Sequence, residues 1–211
     1  MKKICKCFII IFMLIIYQNV NAQPVKIGGN IMLGLPNSIT QTGYGIGGIF
    51  ELKITDKFSG RLSVGTHLAY FEKEGLGDNE LTQNKYCGLF IYRPYSNKIG
   101  SLANLEPYIG LGLGYFTSSY ESTHNAQMVN GGYVYGANID DTWGLCATLG
   151  VNFMPGSTFQ ILAELNYNYL KPNYSYQFDI LGPVKVEDKI NLSYAAFKLF
   201  FVLELFFVLE L

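Results

Sequence analysis

The stretch PYIGLGLGYF, at positions 107–116, sets Gly110, Gly112 and Gly114 at every second place and fills the gaps with Ile109, Leu111, Leu113 and Tyr115. Glycine weakens an ordinary strand and breaks a helix. Strict alternation of glycine with large apolar residues therefore predicts an extended segment with two unlike faces, one of which favours almost no side chain.

The same period of two recurs along the chain. Residues 58–70 divide into Phe58, Gly60, Leu62, Val64, Thr66, Leu68 and Tyr70 on one face and Ser59, Arg61, Ser63, Gly65, His67 and Ala69 on the other. Residues 25–35, 44–54, 143–153 and 159–169 alternate too, each with an apolar face and a face of mainly small or polar residues that also carries Met32, Ile49 or Leu162 in three of the four. Residues 86–92 are apolar on both faces, and a last segment runs from Ile190 onward. With residues 107–117 this makes eight predicted strands, an even number.

Composition says what such strands face. Charged residues are 15% of the chain and aromatic residues another 15%, against about 25% charged in a typical soluble domain. Beyond the N-terminus no apolar run approaches the ~18 residues of a transmembrane helix, and a membrane protein without helices leaves a closed barrel. A soluble, lipocalin-like ligand-binding barrel would turn its apolar face inward and coat itself with charge. Here the polar face carries mainly Gly, Asn, Ser, Thr and Cys, with only Lys26, Glu51, Lys53, Arg61 and Glu164 charged. That suits a narrow lumen better than a solvated surface. An eight-stranded lumen is just wide enough to be filled by side chains, so Gly110, Gly112 and Gly114 are expected to make room for larger neighbours such as Arg61, Glu51 or Gln160. Tyr44, Tyr70, Trp143, Tyr167 and Tyr169 lie near strand ends, as aromatic girdles at the two interfaces require.

The first 22 residues read as a secretory signal. Lys2, Lys3 and Lys6 precede nine apolar residues, Phe8 to Ile16, and Val20-Asn21-Ala22 offers a cleavage site. Removing those three lysines leaves 12 basic against 16 acidic side chains, a net charge of −4. No basic block survives to bind nucleic acid. The expected organisation is a signal over 1–22 and one outer-membrane barrel domain over 23–211. Tight turns at 55–57 and 154–157 alternate with long segments at 72–84, 118–141 and 171–188. This places both termini in the periplasm and the long loops outside. A short loop at 36–41 and a long inner turn at 93–106 break the pattern.

On these residues (the leader, PYIGLGLGYF, the hairpin GLCATLGVNFMPGSTFQILAELNYNY and the closing INLSYAAFKLFF) the chain resembles the outer-membrane-protein β-barrel domain family of Gram-negative bacteria, in its small porin-like, OmpX- and OmpA-type members. The resemblance implies an eight-stranded, antiparallel, up-and-down barrel in outer-membrane lipid, inserted by the barrel assembly machinery. It also implies a terminal aromatic residue, whereas this chain ends on Leu211 after LFFVLE occurs twice, at 199–204 and 205–210. The duplicated tail is expected to project beyond the membrane edge past about Leu203, with a short helix as the alternative there. Near Ala195-Ala196 the alternation slips, which a bulge would explain, as would a segment there that is not a strand.

Little here carries chemistry. Glu51, Lys53, Arg61, His67 and Glu164 are candidates for ion pairing in the lumen. His67 is the only plausible base for the alternative of a lipid-modifying enzyme. No catalytic residue, cofactor or metal is expected, because the glycine runs sit inside strands and no Cys/His cluster exists. Cys87 and Cys146 fall on the fourth and sixth strands, ~9.5 Å apart by strand spacing, beyond disulfide reach, and read as small buried hydrophobes. The expected function is a non-enzymatic scaffold whose Tyr- and Asn-rich loops meet a ligand, a host protein or an envelope component.

Overall fold

The computed structural model describes residues 24–36, 42–73, 77–94, 105–121, 127–129, 132–179 and 183–206. The expected leader and the last five residues lie outside them. Twelve strands are present: β1 (Pro24–Gly34), β2 (Gly43–Lys53), β3 (Phe58–Lys73), β4 (Gly77–Tyr92), β5 (Leu105–Glu121), β6 (Gln127–Val129), β7 (Gly132–Ile139), β8 (Thr142–Phe153), β9 (Phe159–Tyr169), β10 (Asn173–Asp179), β11 (Pro183–Lys189) and β12 (Tyr194–Phe206). Among the described residues there is no helix. Eight strands close a barrel in the order β1-β12-β9-β8-β5-β4-β3-β2, and the other four form a separate sheet, β11-β10-β7-β6. All pairings are antiparallel, and closure runs from Pro24↔Phe206 to Gly34↔Ala196.

The barrel strands fall where alternation puts them, and their sidedness is as expected. Leu111 is 68% exposed and Ile46 69%, with Leu62, Leu113, Leu145 and Leu149 also outward. Glu51 and Glu164 are 1% and 2% exposed on the opposite face. An apolar exterior around a polar interior is the inverse of a soluble barrel. It is stable only where the exterior meets hydrocarbon.

Three features differ from the sequence reading. The segments at 118–141 and 171–188 are not irregular loops: they contribute β6, β7, β10 and β11. The segment at 72–84 is mostly strand, because β3 and β4 stay paired out to Lys73↔Gly77. The last strand starts at Tyr194 rather than Ile190 and has no bulge, since its register with β9 is continuous from Tyr194↔Asn168 to Leu203↔Phe159. The alternation only looked broken there: Leu192, Tyr194 and Ala196 are buried with Phe200 and Val202, so apolar residues fill the inward face near that end. At its far end β12 stays paired past Leu203, with Leu205 and Phe206 opposite Val25 and Pro24; the rest of the duplicated tail lies outside the described residues.

The inward glycines do make room, though for other neighbours than Arg61, Glu51 or Gln160. A Cβ on Gly110 would meet Ile91 and Thr148, and one on Gly114 would meet Phe116 and Cys146. On Gly112 it would strike the backbone of Gly88. Adjacent strands carry the filling groups, so the packing is local rather than across the lumen.

Candidate functional site

The half of the barrel nearer the chain termini holds a continuous polar plug. Its centre is Arg61 on β3. Its Nε donates to Glu51 Oε2 at 2.7 Å, and its Nη1 contacts Glu164 Oε1 on β9. Glu164 also accepts from Tyr108 (2.6 Å) and Thr148 (3.0 Å). Glu51 accepts from Ser59 at 3.0 Å and pairs with Arg93. Arg93 reaches Ser59 (2.6 Å) and Glu106 (3.2 Å). The Tyr108 ring faces both guanidinium groups, 5.1 Å from Arg61 and 5.5 Å from Arg93. Below this, Asn152 and Lys26 both donate to Gln160 Oε1, at 2.9 and 3.0 Å, and Gln160 in turn contacts Glu204.

Buried charges are costly unless paired and hydrogen-bonded. Here each arginine faces two carboxylates, and residues from most of the barrel strands converge on them. The plug therefore ties those strands together and occupies the lumen.

Of the five predicted ion-pair residues, Glu51, Arg61 and Glu164 meet. Lys53 does not: it lies at the end of β2, where its ammonium turns away to Asp56 in the following turn, at 2.7 Å. His67 does not either. It sits in the other half of the lumen, stacked on Tyr194 with ring centroids 4.9 Å apart. Gly34 and Gly43 leave the space its ring fills. Its Nε2 has no hydrogen-bond partner among the described residues.

Sequence reasoning missed Arg93, Glu106 and Tyr108. Arg93 continues the inward parity of Leu89 and Ile91, a signal hidden by its position in an apparent turn. Lys85 and Lys198 were missed too. Lys85 Nζ donates to the Asn166 and Asn168 side chains at 2.9 and 2.7 Å. Lys198 stands directly across the strand from Glu164, whose oxygens are already taken by Arg61, Tyr108 and Thr148.

All five predicted girdle residues point outward, and all five lie toward the end of the barrel that carries the second sheet. The opposite end has its own belt, built mainly from phenylalanine. Phe58 stacks on Phe90 (5.2 Å), with Tyr92 beside it (5.1 Å), and Phe159 lies against Phe201 (6.4 Å).

A closed, plugged, eight-stranded barrel with an apolar belt between two aromatic rings defines an outer-membrane β-barrel protein. The family model of the OmpW family matches residues 91–199, more than half of the chain, and the chain belongs to that family. Its fold is similar to that of the outer membrane protein OprG from Pseudomonas aeruginosa, with TM-score 0.62 and 19% identity over 89% of this chain and 98% of that one. It is also similar to the outer membrane protein AlkL in DMPC bilayers, with TM-score 0.55 and 16% identity over 92% and 95%. At such identities the likeness concerns the fold alone. No curated protein matches the sequence.

Proposed function

We propose that the protein is a non-enzymatic, non-conducting outer-membrane scaffold that presents the β11-β10-β7-β6 sheet outside the cell, with both termini in the periplasm. The observation that carries this reading is the plug. Arg61 and Arg93 are paired with Glu51, Glu106 and Glu164 in the terminal half of the lumen, with both guanidinium groups buried, which supports a lumen plugged by its own side chains. The working surface is then the exposed sheet and the rim below it. That rim carries polar groups suited to recognition: Asp140 accepts from Asn138 and Asn173, both at 3.2 Å, and Asp141 accepts from Tyr115 at 2.8 Å.

Planar-bilayer recording tests the reading. The wild-type chain is expected to insert without conductance steps, and an Arg61→Ala/Arg93→Ala variant to show small ones. Stable ohmic channels in the wild type would reject the scaffold in favour of a pore. Protease shaving of intact cells should cut within the sheet segments and spare a C-terminal epitope tag.

A further inference from the structure

The hairpin of β10 and β11 continues the barrel wall. β12 pairs with β9 up to Tyr194↔Asn168. The Leu192 and Ile190 amides then donate to the Leu170 and Pro172 carbonyls at 3.2 and 3.1 Å. From Lys189↔Asn173 to Pro183↔Asp179, β11 pairs with β10 in the same register. Among the described residues β11 has β10 on one side and no strand on the other. Such an edge offers its free N–H and C=O groups to another chain.

The ladder fixes which groups those are. Successive residues of a strand turn their backbone groups to alternate sides. Ile190 and Leu192 turn theirs toward the β9–β10 side, so Val184, Val186 and Asp188 do the same. Lys185, Glu187 and Lys189 therefore present theirs at the free edge. A second β11 laid antiparallel there must match these residues with one another. Centred on Lys185, the pairing sets that lysine against its own copy. Centred on Glu187, it sets Glu187 against its copy and Lys185 against Lys189. Like charges directly opposite are destabilising and unlike charges favourable. Centred on Val186, the pairing engages all seven residues and sets Lys185 opposite Glu187 in both directions. Those two side chains are exposed and 2.6 Å apart within one chain. The joined face then carries four charges of alternating sign. Charge on an edge strand ordinarily discourages pairing; here it discourages every register but the central one.

We propose that β11 is a self-recognition edge, which pairs with β11 of a second copy of this chain on a facing membrane. The inference rests on the placement of the sheet outside the cell proposed above. Continuing β12, β11 runs from the hairpin tip back toward the membrane. Copies in one membrane hold it in the same sense along the membrane normal. Antiparallel pairing needs the opposite sense, which a copy on an apposed membrane supplies. Each contact is one short isologous ladder, and many copies on each membrane multiply its strength.

The test is clustering of lipid vesicles that carry the full chain, read by energy transfer between donor-labelled and acceptor-labelled populations. Wild-type vesicles should cluster. K185E vesicles and E187K vesicles should each stay dispersed like protein-free ones, because every cross-strand pair becomes a like-charge pair. The double variant K185E/E187K, with the wild-type net charge, should cluster again. So should K185E vesicles mixed with E187K vesicles, since each strand then meets only opposite charge. Protease added outside should cut the sheet in every population. Dispersed wild-type vesicles whose sheet is cut would overturn the self-recognition edge alone, and a sheet that protease cannot reach would overturn its outside placement too. Clustering retained in both single variants, or absent from their mixture, would overturn the pairing.

Discussion

Arg61 shows how much one residue can do in this fold. It reaches two carboxylates on different strands while 2% exposed. Its loss leaves Glu51 and Glu164 buried and short of a partner, so Arg61→Met should destabilise the barrel by about 3–5 kcal/mol, read as a fall in the urea midpoint of the lipid-embedded protein. The inward glycines are equally position-specific. Gly150→Leu drives a side chain into the Tyr108 ring, whereas Gly88 faces open space. The first should cost at least about 1–3 kcal/mol and lower the temperature of the heat-dependent gel shift, while Gly88→Ala should leave that temperature unchanged. Outside the membrane, Lys53 holds the Asp56 carboxyl below its ordinary value, chiefly by a side-chain hydrogen bond. A lowered carboxyl contributes stability above its unfolded pKa and loses it as pH falls through the folded one. Lys53→Gln should move the Asp56 resonance titration upward. Parity made Glu51, Arg61 and Glu164 legible as inward residues. It did not show that Lys53 lies at a strand end with a turn carboxylate in reach, or that His67 is shut in by Tyr194 and two glycines. Those are facts of packing, not of spacing.

At the scale of the element, a strand is legible where lipid enforces its pattern. Hydrocarbon outside and a narrow lumen inside give β5 and β8 their clean alternation. Past the membrane edge that pressure ends. The outward row Thr66, Asn84 and Thr117 is polar and hydrogen-bonded along itself, at 2.8 and 3.3 Å. The N-terminal half of β4 therefore looks polar on both faces and reads as a loop. The sheet of β6, β7, β10 and β11 was hidden for the same reason, and β6 has only three residues. The membrane edge can be located by substitution. Leu111→Arg, at the middle of the apolar band, should cost about 2–4 kcal/mol, and Thr117→Arg about 1 or less. Equal costs at the two positions would place the band elsewhere.

For the whole molecule, the terminal strands close the wall. β12 pairs with β1 over eleven residues and carries Lys198, Val202 and Glu204 into the lumen while Phe197, Phe201 and Leu203 face out. Closure without an edge, a polar plug tying the strands and an apolar belt between two aromatic rings together specify one orientation of every side chain. Site-directed spin labelling of a cysteine-free chain in lipid vesicles tests that orientation most directly. Labels at Leu62, Leu111, Leu145 and Leu165 should collide readily with dissolved oxygen and be shielded from a water-soluble nickel relaxer, while labels at Ser63 and Thr148 should be shielded from both. Oxygen access at Ser63 and Thr148 with none at the four leucines would contradict the account, because the faces would then be reversed.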